Sequence, residues 1–210
     1  MAKKIFSICA ALIAFAVAPV AASASPLLTE GGAAVAPGTE ITATQDGNIV
    51  FTSSLGPLTC PKSPLYVKLS FNSGKLIEGN VENAIFANET GGDCTSSWAG
   101  EINYTVNNLP WCIKTTSTTD AFVLRGGGCS EVEKEVQITM DYTSGGFSCK
   151  YSRTSGISGT FNTNVTPTTL MFNTTEIVGA STNGGLCPNK WTLDAKYTLE
   201  TSNGTGLSIG

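Results

Sequence analysis

The chain has 210 residues, 12 Lys and Arg against 16 Asp and Glu, a formal charge of −4 and no histidine. A mildly acidic chain with scattered cations argues against nucleic acid or an anionic membrane as partner. Without histidine, Ser-His-Asp and Cys-His nucleophile systems cannot be built in their usual form.

The chain opens on Lys3 and Lys4, then runs apolar from Ile5 to Val20, then shows the small-x-small pattern Ala22-Ser23-Ala24. This three-part layout predicts a signal peptide over residues 1–24. The apolar run is short and Ala-rich for a spanning anchor, which needs roughly 20 strongly apolar residues. Cys9 falls inside the run and leaves with it. Losing Lys3 and Lys4 takes the formal charge from −4 to −6. With no second long apolar stretch, a secreted or cell-surface protein without membrane insertion is expected. Residues 25–38 read as a flexible lead-in, and residues 39–210 as a single domain.

Strand signals follow one another along that domain. Ile41–Thr44 and Ile49–Thr52 flank Asp46-Gly47, the signature of a tight hairpin. Leu65–Phe71 ends at Asn72-Ser73-Gly74. Ile102, Tyr104 and Val106 alternate with Asn103 and Thr105. Phe122-Val123-Leu124 runs into Gly126-Gly127-Gly128. Val136, Ile138, Met140 and Tyr142 alternate with polar residues up to Ser144-Gly145-Gly146. Asn183-Gly184-Gly185 precedes the longest alternation, Trp191, Leu193, Ala195, Tyr197 and Leu199. Period two marks half-buried strands, and the 28 threonines suit their wet faces. Ten to thirteen strands without a helical period predict an all-β, disulfide-stapled sandwich with Greek-key or jelly-roll connections.

Cys60, Cys94, Cys112, Cys129, Cys149 and Cys187 remain after the leader. In an oxidising compartment they read as three disulfides, with fifteen pairings open. Nearest-neighbour pairing is the expectation adopted: Cys60–Cys94, Cys112–Cys129 and Cys149–Cys187. Each such bridge is worth roughly 3–4 kcal/mol in the chain-entropy model. No CxxC pair occurs, so no zinc site is predicted. No P-loop, dinucleotide fingerprint, HExxH or acidic calcium loop occurs either, and no cofactor is predicted.

Two candidate sites stand out. Glu131, Glu133 and Glu135 alternate with Val132 and Lys134; on a strand they share one face roughly 6.5–7 Å apart, near the carboxyl spacing of inverting glycosidases. Alternating charge is also what a solvated strand face shows. Of the three tryptophans, Trp191 sits in core alternation and Trp111 beside Cys112. Trp98, in Thr95-Ser96-Ser97-Trp98-Ala99-Gly100, is the one expected in a loop, placed for ring stacking on a ligand.

Several strings, in order along the domain, resemble a family of small secreted β-rich proteins of soil actinobacteria, hypothetical exported proteins with no assigned activity. They are Pro37–Thr44, Leu55–Cys60, Leu109-Pro110-Trp111-Cys112, Phe122–Cys129 and Tyr197–Thr201. A more distant similarity is to secreted alkane-oxidation-activator and biofilm-surface proteins of other bacteria. Neither resemblance implies a functional residue. The residues themselves favour a non-catalytic binding or structural protein contacting glycans, cell-wall polymers or copies of itself. The alternatives are a glycoside hydrolase or lyase using Glu131, Glu133 and Glu135, and a self-assembling matrix subunit.

Overall fold

A computed structural model describes residues 28–74, 76–88, 90–116 and 121–210. The expected signal peptide, residues 1–24, lies outside the described residues. Among the described residues every regular element is a strand: β1 (Leu28–Glu30), β2 (Ala33–Ala34), β3 (Glu40–Gln45), β4 (Ile49–Ser53), β5 (Gly56–Cys60), β6 (Leu65–Ser73), β7 (Leu76–Ala84), β8 (Cys94–Ser96), β9 (Gly100–Asn107), β10 (Trp111–Thr115), β11 (Ala121–Gly126), β12 (Val136–Tyr142), β13 (Phe147–Arg153), β14 (Ile157–Asn162), β15 (Thr169–Gly179), β16 (Lys190–Thr201) and β17 (Leu207–Ile209).

The pairing register turns fourteen of these strands into eight long staves. β3 and β4 run end to end along one edge of β16: Ile41 to Gln45 face Thr201 to Tyr197, and Val50 to Thr52 face Asp194 to Thr192. β5 and β6 return along β4 and β3. β7 and β8 follow β6 and β5, and β9 and β10 follow β8 and β7. β11 and β12 then follow β10 and β9, and β13 and β14 follow β12 and β11. β15 spans both β14 and β13, and β16 spans the whole of β15. Since β16 also pairs with β3 and β4, the sheet closes. Neighbouring staves are successive in the chain, so this is an eight-stave antiparallel meander, an up-and-down barrel.

The all-β, disulfide-stapled fold expected from the sequence is the one that forms, and two details within it differ. The sheet closes into a barrel rather than a sandwich with Greek-key or jelly-roll connections, because the last long strand returns to pair with the first. Asp46-Gly47 is not a hairpin tip. It is a kink between collinear strands, with Gly47 at φ 85° and the Asp46 N–H still donating to the Lys196 carbonyl at 2.8 Å. Similar breaks interrupt five more staves, at residues 61–64, 85–93, 108–110, 127–135 and 154–156. They form a waist, where irregular backbone lets long strands bend.

The lead-in also differs from expectation. From Leu28 onward it is built into the fold: β1 pairs with β17 and β2 in a small sheet. Asn72 holds this cap, accepting from the Leu28 N–H at 2.9 Å and donating to the Leu28 and Val35 carbonyls at 2.8 and 2.9 Å. Burial explains the order, for Leu28 and Ile209 close the adjacent end of the barrel over an aliphatic interior.

Alternation along each stave divides wall from interior. In β16 the inward set Trp191, Leu193, Ala195, Tyr197 and Leu199 is buried, while Lys190 to Glu200 alternate outward. The outer wall is therefore polar and threonine-rich, the reverse of a membrane barrel's apolar belt. The capped half is filled mainly by aliphatic side chains such as Ile41, Leu69 and Val81. The other half carries Phe51, Tyr142, Tyr151 and Trp191, all at most 1% exposed, while a second aromatic cluster, Phe122, Phe161, Phe172 and Tyr197, is buried in the capped half.

The three cysteine pairs are bonded as nearest neighbours: Cys60–Cys94, Cys112–Cys129 and Cys149–Cys187. Cys60–Cys94 links the second stave to the third inside the waist. Cys112–Cys129 ties the 127–135 excursion to the fourth stave. Cys149–Cys187 pins the long β15–β16 connection to β13. Three such bridges match an oxidising, extracytoplasmic environment.

Candidate functional site

In a meander, alternate turns gather at the same end. The end away from the cap carries four: residues 53–56, 96–100, 142–147 and 179–190. Between them lies an open mouth of about 430 Å³ lined by Ser54, Leu55, Trp98, Phe147 and residues 185–189. Mouths of barrels are favoured ligand sites, and this volume lies in the usual range for them.

Side chains fix the turns against one another. Ser144 Oγ donates to the Ala99 carbonyl at 2.6 Å and Thr143 Oγ1 to the Glu101 carbonyl at 2.9 Å. These bonds join the third turn to the second. Asn183 grips the β13 backbone both ways, accepting from the Lys150 N–H at 2.9 Å and donating to the Lys150 carbonyl at 2.8 Å. Beside it, Cys187 is bonded to Cys149. A site held this way loses little conformational freedom on binding.

Trp98 occupies the turn between β8 and β9, as its sequence context predicts, and lines the mouth. It is half-buried rather than free-standing, with its ring 5.4 Å from that of Tyr142. Phe147 stacks on the same Tyr142 at 4.6 Å and 14°. Tyr142 is thus the floor on which both mouth aromatics rest. The Trp98 Nε1 is buried without a hydrogen-bond partner among the described residues. Leu55 and Leu186 stand at the rim, 44% and 68% exposed. None of the nine lining residues is charged.

Leu55, Phe147 and Leu186 escaped the sequence reading. Their signal was topological: once the staves form a meander, every second turn must meet. The other tryptophans are structural. Trp191 is fully buried, and Trp111, 2% exposed, donates its Nε1–H to the Asn107 carbonyl at 2.8 Å.

The carboxylate array does not form. Glu131, Glu133 and Glu135 precede β12 on the 127–135 excursion, so they are not on a strand as expected. The cause is the preceding turn: Gly126 and Gly127 fold the chain back, with the Gly126 N–H donating to the Lys134 carbonyl at 3.0 Å and the Lys134 N–H to the Gly126 carbonyl at 2.7 Å. Glu133 pairs with Arg125. Glu131 stands 4.0 Å from Lys134, and Glu135 accepts from Gln137 Nε2 at 2.6 Å. Glu131 and Glu133 border a flank hollow of about 340 Å³ that Glu135 does not line. With side chains 55% and 68% exposed, these two carboxylates keep their hydration. A general acid of a glycosidase instead needs a desolvated setting that holds its proton.

A further hollow is interior. About 40 Å³ lies among aliphatic side chains beneath Leu28 and Ile209. That is well short of the roughly 150 Å³ that admits benzene in an engineered apolar cavity. No family model, curated protein or solved structure matches this chain.

Proposed function

We propose that this chain is a secreted or cell-surface binding protein that acts without catalysis and grips a neutral glycan or cell-wall polymer at the four-turn mouth. The observation that carries the reading is the uncharged, aromatic-lined cleft at one end of a disulfide-stapled barrel, with Trp98 and Phe147 seated on Tyr142. Aromatic rings stack on the apolar faces of sugars, and an uncharged lining penalises an anionic ligand, which would be desolvated there without a partner. The polar outer wall suits a protein in water. Closure of the barrel removes the free strand edges that assembly by edge pairing uses, which counts against the matrix-subunit alternative.

The test is a pull-down of the purified mature chain on insoluble cell wall and on neutral polysaccharides. Wild type should sediment with one of them, and Trp98→Ala should lose at least tenfold in affinity. A protein that stays in the supernatant with every polymer contradicts the proposal.

A further inference from the structure

Two polar side chains of the mouth are uncommitted. Ser54 and Asn189 line it and are exposed, and neither side chain is hydrogen-bonded among the described residues. Their polar neighbours are spent on the fold: Ser53 Oγ accepts from the Leu55 N–H at 3.1 Å, and Ser144 and Asn183 donate to the Ala99 and Lys150 carbonyls. Apolar groups stand beside the uncommitted pair. One exposed leucine is ordinary. Here Leu55 and Leu186, 44% and 68% exposed, share one hollow with Trp98 and Phe147.

The lining thus offers three chemistries at once: aromatic faces, aliphatic methyl groups, and a carboxamide that both donates and accepts. A sugar that carries only hydroxyls uses the first. Its hydroxyls, set against Leu55 or Leu186, lose water without gaining a partner. An acetamido sugar uses all three. Its ring stacks on an aromatic face, its acetyl methyl takes leucine surface out of water, and its amide N–H and carbonyl match the Asn189 carboxamide. It is also neutral, like the lining. The free amino sugar is a cation, and no carboxylate lines the mouth to meet it.

We infer that the mouth selects N-acetylated amino sugars, with Leu55 and Leu186 receiving the acetyl methyl and Asn189 hydrogen-bonding the acetamido group. This deepens the proposed function and rests on the mouth being a glycan site.

The experiment is isothermal titration calorimetry of the purified protein with cellotriose, tri-N-acetylchitotriose and its deacetylated form. The three share one backbone linkage and differ at a single ring carbon. A buried methyl and one amide hydrogen bond together favour the N-acetylated trisaccharide over cellotriose by about tenfold or more, and the deacetylated form should bind no better than cellotriose. Leu186→Ser and Asn189→Ala change exposed side chains and should keep the wild-type urea midpoint. Each should narrow the ratio between the two neutral ligands by about threefold. Pull-downs on chitin and on peptidoglycan then tell which polymer presents the sugar; sedimentation with neither counts against the inference. Cellotriose binding as tightly as the N-acetylated ligand overturns the inference and leaves the glycan reading standing. A preference that survives both substitutions overturns the assignment to Leu186 and Asn189. If no trisaccharide binds, the inference fails, and the pull-downs on neutral polysaccharides decide the glycan reading separately.

Discussion

Replacing Cys60 and Cys94 together by alanine should be the most damaging way to remove one bridge. Both residues are fully buried. They extend the register of β5 and β8, whose last paired residues are Thr59 and Thr95, with Cα atoms 4.8 Å apart and a sequence separation of 34. The chain-entropy model assigns about 4 kcal/mol to a loop of that length. Truncating two buried sulfurs opens a void in the waist that adds about 1–2 kcal/mol. The resulting loss, about 5–6 kcal/mol, rivals the whole stability of an ordinary domain. Cys112→Ala with Cys129→Ala releases a shorter loop, with a separation of 17, at a cost of about 3 kcal/mol. Both of those cysteines are part-exposed, so no core void follows. Urea unfolding followed by tryptophan fluorescence, on the two double variants and the wild type, measures the difference. The expected order is a Cys60/Cys94 loss exceeding the Cys112/Cys129 loss by about 2 kcal/mol. An equal or reversed order would refute the placement of Cys60–Cys94 inside the waist.

Closure of the barrel is tested by Thr44→Cys with Thr198→Cys, which are direct partners across β3 and β16. Directly paired residues of antiparallel strands lie about 4.5–5.5 Å apart, within disulfide reach, so the oxidised double variant should show the new bridge by non-reducing peptide mapping without loss of the other three. High pH supplies another test. Burial raises the phenol pKa values of Tyr142, Tyr151 and Tyr197 in the folded chain, so their contribution is intact below the unfolded value near pH 10 and is lost as pH climbs above it toward the folded values. Stability should fall by about 1.4 kcal/mol per pH unit for each of these tyrosines above pH 10, seen as a falling urea midpoint with no 295 nm tyrosinate absorbance from them before unfolding; early tyrosinate signal from all five tyrosines would contradict their burial.

Much of the wall was legible because strand periodicity is local. Val136 to Tyr142 and Trp191 to Leu199 alternate as half-buried strands do, and each became one. The disulfide pairing was legible for a topological reason: in a meander, cysteines that follow one another in sequence sit on neighbouring staves or the turns beside them. Asp46-Gly47 misled because a glycine at positive φ serves a kink as well as a hairpin tip. What separates the two is β16, far along the chain. The Glu131–Glu135 alternation misled for a related reason, since period two means a strand only where another strand pairs with it, and the Gly126-Gly127 fold-back removes that partner. Trp98 could be placed in a turn from its neighbours. That Leu55, Phe147 and Leu186 join it follows only from knowing which turns share an end.

The most direct test of the account is a backbone and indole NMR titration of the labelled protein with solubilised neutral cell-wall glycan. Shifts confined to residues 53–56, 96–100, 142–147 and 179–190, with the Trp98 indole N–H among the largest, are the predicted result. Shifts spread over the outward threonine faces, or gathered at the β1–β17 cap, would contradict it.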